Sequence, residues 1–417
     1  MKAFCKPCLL LFLSLMFTLS VPLAAMAEEG QPPEGEQPEM KPATELTDGF
    51  RFEISGHVNM RNLILDASLN QAEPFHPYER FYVYWDAAKV LPGYFCIQWD
   101  TESVDAQLWQ LDSNGSVLSQ RDVPYELDTV EKLLPDTRKV AVVAGRSGMS
   151  IIRLAMYSEG ILPEPFVNWK PTPDHLDYLI VSTHPDDDVI FMGGVIPIYG
   201  VERGYVGTVA YVTSPSRMRI NEALMGAWAM GTPYKPVFIG FQDISPKNQG
   251  FYANRFLPEA VTLALVRLFR AHRPLVVFTQ DVNGEYGHWQ HRIVSASVVE
   301  AARLAADEAY DPVSLAKDGA WQVQKCYVHL YPENPLVMDV NAPLASLGGR
   351  TALEVARYSF QKHKSQQSGR HWVQSDTDKH PMSRFGMAYG TVEAGNDVFD
   401  NIDPQLLCAA LSAETGS

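Results

Sequence analysis

From residue 177 onward, buried strand patterns alternate with helical patterns, and this alternation limits the possible folds more than any other feature of the chain. Apolar, β-branched runs typical of buried strands lie at residues 177–183, 206–213, 237–241 and 275–279. Helical patterns separate these strands and continue after them. Strands that alternate with helices form βαβ units with parallel strands. The sequence therefore predicts an α/β domain over residues 175–417, built on a mostly parallel sheet with flanking helices.

Residues 50–165 carry a different pattern, made of short aromatic and β-branched strands. A hairpin signal, Asp-Ser-Asn-Gly-Ser, stands at residues 112–116 between two such strands. Short strands at this spacing predict a smaller all-β sandwich or jelly-roll domain. Aromatic residues in alternating strands usually face inward, so we interpret the tryptophans of this region as core residues and not as a sugar-stacking platform. They are Trp85, Trp99, Trp109 and Trp169.

The N-terminus has the pattern of a secretory signal peptide over residues 1–27. Lys2 and Lys6 precede an apolar run, and residues 25–27 form a small-x-small cleavage pattern. The alternative is an uncleaved membrane anchor. Residues 28–49 are rich in Glu, Pro and Gln and predict a disordered acidic spacer. We therefore expect a secreted or extracytoplasmic protein with no transmembrane segment after signal cleavage.

Charge and cysteine content exclude several classes of protein. The formal net charge is −15, and removal of the signal with its two lysines makes it −17. Such a chain lacks the basic footprint of a nucleic-acid binder. Three cysteines remain after cleavage, so at most one disulfide could form. These are Cys96, Cys326 and Cys408. The sequence gives no indication of oligomeric state.

Polar clusters follow two of the predicted parallel strands. Residues 184–188 read His-Pro-Asp-Asp-Asp directly after the strand at 177–183, and residues 283–291 follow the strand at 275–279. Ligands of open α/β sheets bind at the carboxyl ends of strands, and imidazole and carboxylate groups are common zinc donors. We therefore expect a metal site where these two segments meet.

The spacing within each cluster suggests which residues bind the metal and which do not. Pro185 stiffens the first turn, so His184 and Asp187 can face one point while Asp186 projects separately as a free carboxylate. His288 and His291 are three residues apart and share a helix face, so one can bind metal while the other points past it. Three protein ligands with a fourth position for water are typical of catalytic zinc. The predicted ligands are His184, Asp187 and His291.

Four segments resemble the signatures of the PIG-L/LmbE-like family of zinc-dependent N-acetylglucosamine deacetylases. Residues 183–188 read Thr-His-Pro-Asp-Asp-Asp, and residues 284–291 read Gly-Glu-Tyr-Gly-His-Trp-Gln-His. Residues 219–222 (Arg-Ile-Asn-Glu) and 363–366 (His-Lys-Ser-Gln) resemble two supporting motifs. The resemblance covers about residues 175–370.

The resemblance implies a Rossmann-like fold and hydrolysis of an N-acetyl amide on a sugar. It assigns the Zn²⁺ ligands to His184, Asp187 and His291. It makes Asp186 the general base, His288 the group that stabilises the oxyanion, and Arg219 a contact to the sugar. This chemistry is consistent, because amide hydrolysis needs an activated water, a base beside it and positive charge at the developing oxyanion.

Two positions depart from the family pattern. Asp188 stands in place of the commoner Glu and is one methylene shorter. Gln290 stands where many members have Asp, which could pair with His288 and raise its pKa, whereas a neutral Gln cannot. Neither departure removes a proposed metal ligand, so we expect catalysis to be intact.

Two other functions fit the same sequence. One is a zinc amidase that acts on a different N-acyl substrate. The other is a catalytically inactive carbohydrate-binding surface protein, for which the N-terminal β-domain is the argument. The predicted export signal favours an extracytoplasmic GlcNAc-containing sugar or glycan as substrate.

Overall fold

The computed structural model describes residues 41–54, 73–87, 91–99, 106–123, 128–146, 148–163, 166–214, 216–367, 369 and 371–409. The predicted signal peptide and most of the predicted spacer lie outside these residues. No helix in the described part of the chain is long and apolar enough to cross a membrane. Cys96, Cys326 and Cys408 are free thiols.

Among the described residues, nine strands precede the α/β region and form two antiparallel sheets. The strands are β1 (Phe50–Ile54), β2 (Glu73–Phe75), β3 (Arg80–Trp85), β4 (Tyr94–Trp99), β5 (Gln107–Leu111), β6 (Val117–Asp122), β7 (Asp128–Lys132), β8 (Lys139–Val143) and β9 (Met149–Tyr157). Their orders are β1-β3-β8-β5-β6 and β2-β9-β4-β7. Alternate side chains of both sheets pack into one core, for example Phe81 of β3 and Phe95 of β4. This is the packing that a sandwich requires. That the region is an accessory domain ending at residue 165 stays a prediction.

The hairpin and the tryptophans of this region can be compared with the sequence. The Asp112 carboxylate accepts hydrogen bonds from the backbone N–H groups of Asn114 and Ser116, each at 2.8 Å, which closes the β5–β6 turn. Two of the four tryptophans are buried, Trp85 and Trp99, while the other two are only partly buried. The interpretation of these tryptophans as core residues therefore fits two of the four.

The end of the predicted spacer is ordered, which differs from the expectation of disorder through residue 49. The Glu45 carboxylate accepts from the Arg153 guanidinium at 3.0 Å, and the Ala43 N–H donates to the Ile161 carbonyl at 2.8 Å. Residues Thr47–Gly49 form a 3₁₀ turn. These bonds to β9 and to the segment after it offset the ordering entropy that composition alone suggested the segment could not overcome.

The second half of the described chain contains one mixed seven-stranded sheet. Its strands are β10 (Leu176–Ser182), β11 (Gly207–Thr213), β12 (Val237–Phe241), β13 (Pro274–Thr279), β14 (Lys325–His329), β15 (Pro335–Val337) and β16 (Arg384–Gly390). The order is β12-β11-β10-β13-β14-β16-β15. The first five are parallel, and β16 runs antiparallel to both of its neighbours. The prediction of a mostly parallel sheet with helices is confirmed at this level.

Helices cover both faces of this sheet. They are α1 (Asp187–Met192), α2 (Arg217–Met230), α3 (Gln249–Tyr252), α4 (Pro258–His272), α5 (Trp289–Leu304), α6 (Pro312–Asp318) and α7 (Ala352–Phe360), with a π-helical segment at Ile196–Glu202. Alternate residues of β10 enter different cores. Ile180 packs with residues of α1 and α7, whereas Val181 packs with residues of α4 and α5. The central strands are therefore buried on both faces, and their carboxyl ends are left to form a site.

Candidate active site

A cavity of about 430 Å³ lies where β10 and β13 end, and it brings the two predicted clusters together. These strands are parallel neighbours, with Leu179 opposite Val277, so the segments that follow them meet at one edge of the sheet. The cavity is lined by the six predicted site residues and by Asp243, Tyr286 and several neighbours. The predicted residues are His184, Asp186, Asp187, Arg219, His288 and His291.

Three buried side chains point one atom each at a common point. His184 Nδ1 lies 3.0 Å from Asp187 Oδ2 and 3.0 Å from His291 Nε2. His291 Nε2 lies 3.2 Å from Asp187 Oδ2. Each residue is less than a tenth exposed. The structure thus places the three predicted ligands together, and their role as ligands stays a prediction.

Hydrogen bonds on the far side of each imidazole determine which nitrogen carries the proton. His291 Nδ1 faces the Glu285 carboxylate at 2.9 Å, so this nitrogen is the donor. His184 Nε2 faces Gln290 Oε1 at 3.2 Å. The Gln290 amide is oriented by the Ile244 N–H, which donates to Oε1, and by the Gln242 carbonyl, which accepts from Nε2. The nitrogens that face the shared point, His184 Nδ1 and His291 Nε2, are therefore the ones available to bind a metal.

The donor set fits Zn²⁺. Two imidazole nitrogens and a carboxylate oxygen lie within 3.2 Å of one another, an arrangement that favours a cation between them, and zinc takes these ligand types. Burial lowers the pKa of His291, but Asp187 and Glu285 outweigh burial and raise that pKa to about 10. The surrounding carboxylates thus favour positive charge at this point.

His288 lies beside the three converging atoms but is in contact with the other histidines mainly through its ring. Its ring centroid is 4.8 Å from that of His184 and 4.6 Å from that of His291, and the three histidines alone could also group around an ion. Its Nδ1 is buried without a hydrogen-bond partner among the described residues. Burial, followed by the other two histidines, lowers the pKa of His288 to about 3. The ring is neutral near pH 7 and offers one N–H.

Gln290 contacts a different histidine from the one that an Asp at this position could pair with. The sequence indicates that a neutral Gln cannot raise the pKa of His288, and the structure places Gln290 Oε1 against His184. The reason is geometric: Gln290 is fully buried on α5 and its amide is held by the backbone of the segment after β12. The low pKa of His288 therefore results from burial and its neighbouring histidines.

Asp186 is a separate buried carboxylate, held by Arg219. It has a positive φ of 121° at the start of α1, and it accepts from Arg219 Nη2 at 2.8 Å. The same guanidinium donates to the Pro185 carbonyl and to Asp243 at 3.3 Å. Burial and the Asp187 charge raise the pKa of Asp186 well above its usual range, although Arg219 opposes them. Arg219 thus orients Asp186, and its predicted contact to a sugar stays a prediction.

Asp188, the first departure from the family pattern, faces away from the three converging atoms. Its Oδ2 accepts from the Tyr211 hydroxyl at 2.9 Å, and its Oδ1 has no partner among the described residues. Burial raises the pKa of this carboxyl to about 7. The side chain therefore ties α1 to β11.

Two residues of the site received no role from the sequence. Glu285 lies within the second motif and accepts from His291; hydrogen bonds from His291 and His329 outweigh burial and lower its pKa to about 2. Asp243 follows β12 and lies 3.6 Å from His184 Nε2. Its place after a third parallel strand is the signal that could have identified it.

The comparisons with known proteins agree with these motifs. Residues 179–302 match the PIG-L family model, described as GlcNAc-PI de-N-acetylase. A 1D-myo-inositol 2-acetamido-2-deoxy-alpha-D-glucopyranoside deacetylase of Catenulispora acidiphila is 30% identical over 194 residues, which cover 39% of this chain and 58% of the relative. The Geodermatophilus obscurus deacetylase of the same name is 30% identical over 200 residues, covering 41% and 66%. The chain thus spans less than two thirds of either relative.

Among solved structures, the N,N'-diacetylchitobiose deacetylase of Pyrococcus horikoshii aligns with 46% of this chain and 70% of its own, at 19% identity and a TM-score of 0.35.

Proposed function

We propose that this chain, a member of the PIG-L/LmbE-like deacetylase family, is a zinc-dependent hydrolase that removes the N-acetyl group from a GlcNAc-containing sugar or glycan. One observation carries the proposal. Two imidazole nitrogens and a carboxylate oxygen converge within 3.2 Å in a cavity that also holds the buried carboxylate Asp186. The names of the relatives, which are deacetylases of a GlcNAc-containing compound, support the choice of amide.

His184, Asp187 and His291 would hold the metal. When bound there, Zn²⁺ would supply the Lewis acidity that activates a water molecule and polarises the amide carbonyl. The proton transfers and the stabilisation of the oxyanion would be carried out by side chains of this chain that line the same cavity.

Asp186 would act as the general base and then as the acid. It can take a proton from the attacking water and pass it to the leaving nitrogen, and its raised pKa helps it to hold that proton between the two transfers. Arg219 keeps the carboxylate in place through the bond at 2.8 Å. The base is therefore positioned before substrate arrives.

His288 would stabilise the oxyanion as a neutral donor. Its ring lines the cavity and its low pKa leaves it uncharged near neutral pH. A neutral imidazole can still donate one N–H to the carbonyl oxygen as negative charge develops there. This role does not require a carboxylate partner at position 290.

The predicted signal over residues 1–27 is the basis for proposing an extracytoplasmic substrate. A chain exported in this way would meet cell-wall glycans, host glycans or chitin-like oligomers. Neither a different N-acyl substrate nor an inactive binding protein has a specific observation in its favour.

The test is acetate release by zinc-loaded protein (residues 28–417) from N-acetylglucosamine, chitooligosaccharides and peptidoglycan fragments. We expect acetate from at least one of them with wild type, and none above background with Asp186→Asn. Zinc bound at one ion per chain without acetate from any substrate would contradict the proposed N-acetyl sugar. Absence of both bound zinc and released acetate would contradict the proposal that this chain is an enzyme.

A further inference from the structure

Glu285 is a buried carboxylate behind the proposed metal site, and it receives three hydrogen bonds. Its Oε2 accepts from His291 Nδ1 at 2.9 Å. Its Oε1 accepts from His329 Nδ1 at 2.8 Å and from the Asp281 N–H at 2.9 Å. The side chain is fully buried. One carboxylate thus joins His291, on helix α5, to a second histidine on a strand of the sheet.

His329 is the last residue of β14, and both of its ring nitrogens face oxygen acceptors. Nδ1 faces Glu285 as described, and Nε2 lies 3.0 Å from the Pro381 carbonyl oxygen. A carboxylate and a carbonyl can only accept, so the ring lies between two acceptors in a site with no exposure to water.

We propose that His329 and Glu285 form a buried hydrogen-bonded pair that positions His291 at the metal site. The inference rests on the proposed zinc site. The Glu285 carboxylate accepts from His329 through Oε1 and from His291 through Oε2, so it holds both rings at once. His291 Nδ1 is thereby held as the donor, which keeps its Nε2 lone pair directed at the metal.

The position of His329 is itself fixed by contacts with other residues. Pro381 belongs to the C-terminal part of the chain, three residues before β16 begins. The Phe191 and Phe385 rings also pack against it, with centroids 5.7 and 5.6 Å from that of His329. The His329 ring therefore has a fixed orientation. His329 touches neither the cavity nor the proposed ligands by any hydrogen bond among the described residues, so it is a positioning residue.

The experiment compares zinc affinity in four proteins by competition with a chromophoric chelator: wild type, Glu285→Gln, His329→Gln and His272→Gln. His272 is the matched control because its Nδ1 also bonds a proline carbonyl, that of Pro173 at 2.8 Å, but far from the site. We expect zinc affinity to fall about 10- to 100-fold in the first two variants and to stay unchanged in the control. The Co²⁺-substituted proteins should show altered d–d absorption in the same two variants only.

A second measurement needs no variant. Nitrogen NMR of ¹⁵N-histidine-labelled, zinc-loaded wild type should show a metal-bound histidine that is protonated at Nδ1 and bound through Nε2, as the contact of His291 Nδ1 with Glu285 requires. Stable variants that bind zinc as wild type does, or the absence of a histidine bound through Nε2, would overturn the inference while leaving the proposed function intact. A wild type that binds no zinc would overturn the proposed function and this inference with it.

Discussion

Asp186→Asn isolates the general base from the metal site. Asn keeps the size of the side chain, and its carbonyl oxygen can still accept from Arg219, which donates to Asp186 at 2.8 Å. The variant loses only the ability to take a proton. Burial and the Asp187 charge already disfavour the ionised form of Asp186 and raise its pKa, so a neutral replacement should not destabilise the fold.

The magnitude follows from this role. General-base catalysis contributes roughly 10²- to 10⁴-fold, which corresponds to about 3–5 kcal/mol of transition-state stabilisation. We expect kcat to fall by that factor. KM should stay within about threefold of wild type, because Asp186 is not proposed to contribute to substrate binding in the ground state. Zinc content and thermal unfolding should remain at wild-type values.

The assay is acetate release under saturating substrate, with zinc measured on the same sample. Asp243→Asn is the matched control, since Asp243 also pairs with Arg219, at 3.3 Å, but is about a quarter exposed. Its kcat should fall far less. A loss of less than tenfold in Asp186→Asn with zinc fully bound would refute Asp186 as the base.

Three further predictions follow from the packing around the site. His291→Ala should reduce bound zinc well below one ion per chain, as elemental analysis would show; unchanged stoichiometry would exclude this ligand. Burial and the charge of Arg219 lower the pKa of His363 to about 3, from 6.5. In that interval the unfolded chain binds a proton that the folded chain does not, so acidification should destabilise the protein. The free energy of unfolding, measured with urea, should fall by roughly 2 kcal/mol more between pH 6.5 and pH 4.5 in wild type than in His363→Phe; equal falls would contradict the assignment. Gly226→Ala would place a Cβ atom 2.5 Å from His363 Nε2. It should cost about 1–3 kcal/mol by overpacking, partly offset by about 1 kcal/mol of helix propensity, and a raised melting temperature would contradict this.

The parallel strands could be predicted because strands that are buried on both faces consist almost entirely of apolar residues. The strand expected at 177–183 is Leu176–Ser182, and that expected at 275–279 is Pro274–Thr279. Strand β16 was not predicted, and Gly386 shows why. A Cβ there would collide with the Tyr331 carbonyl, so the strand requires glycine, a residue that weakens any strand signal.

The converging atoms of the site could be anticipated from two motifs, because parallel neighbouring strands bring their carboxyl ends together. The supporting residues could not. His329 is 44 positions from Glu285, and only strand order brings β14 beside β13. Similarly, the partner of Gln290 depends on side-chain orientation at the start of α5, which sequence spacing does not determine.

The central claim is that His184, Asp187 and His291 hold a zinc ion. X-ray absorption spectroscopy of zinc-loaded protein tests it most directly, because it counts imidazole ligands and measures ligand distances. We predict two imidazole nitrogens and protein carboxylate oxygen at about 2.0–2.2 Å, with one imidazole lost in His291→Ala and none lost in His288→Ala. Three imidazoles in wild type, one of them lost in His288→Ala, would contradict the account.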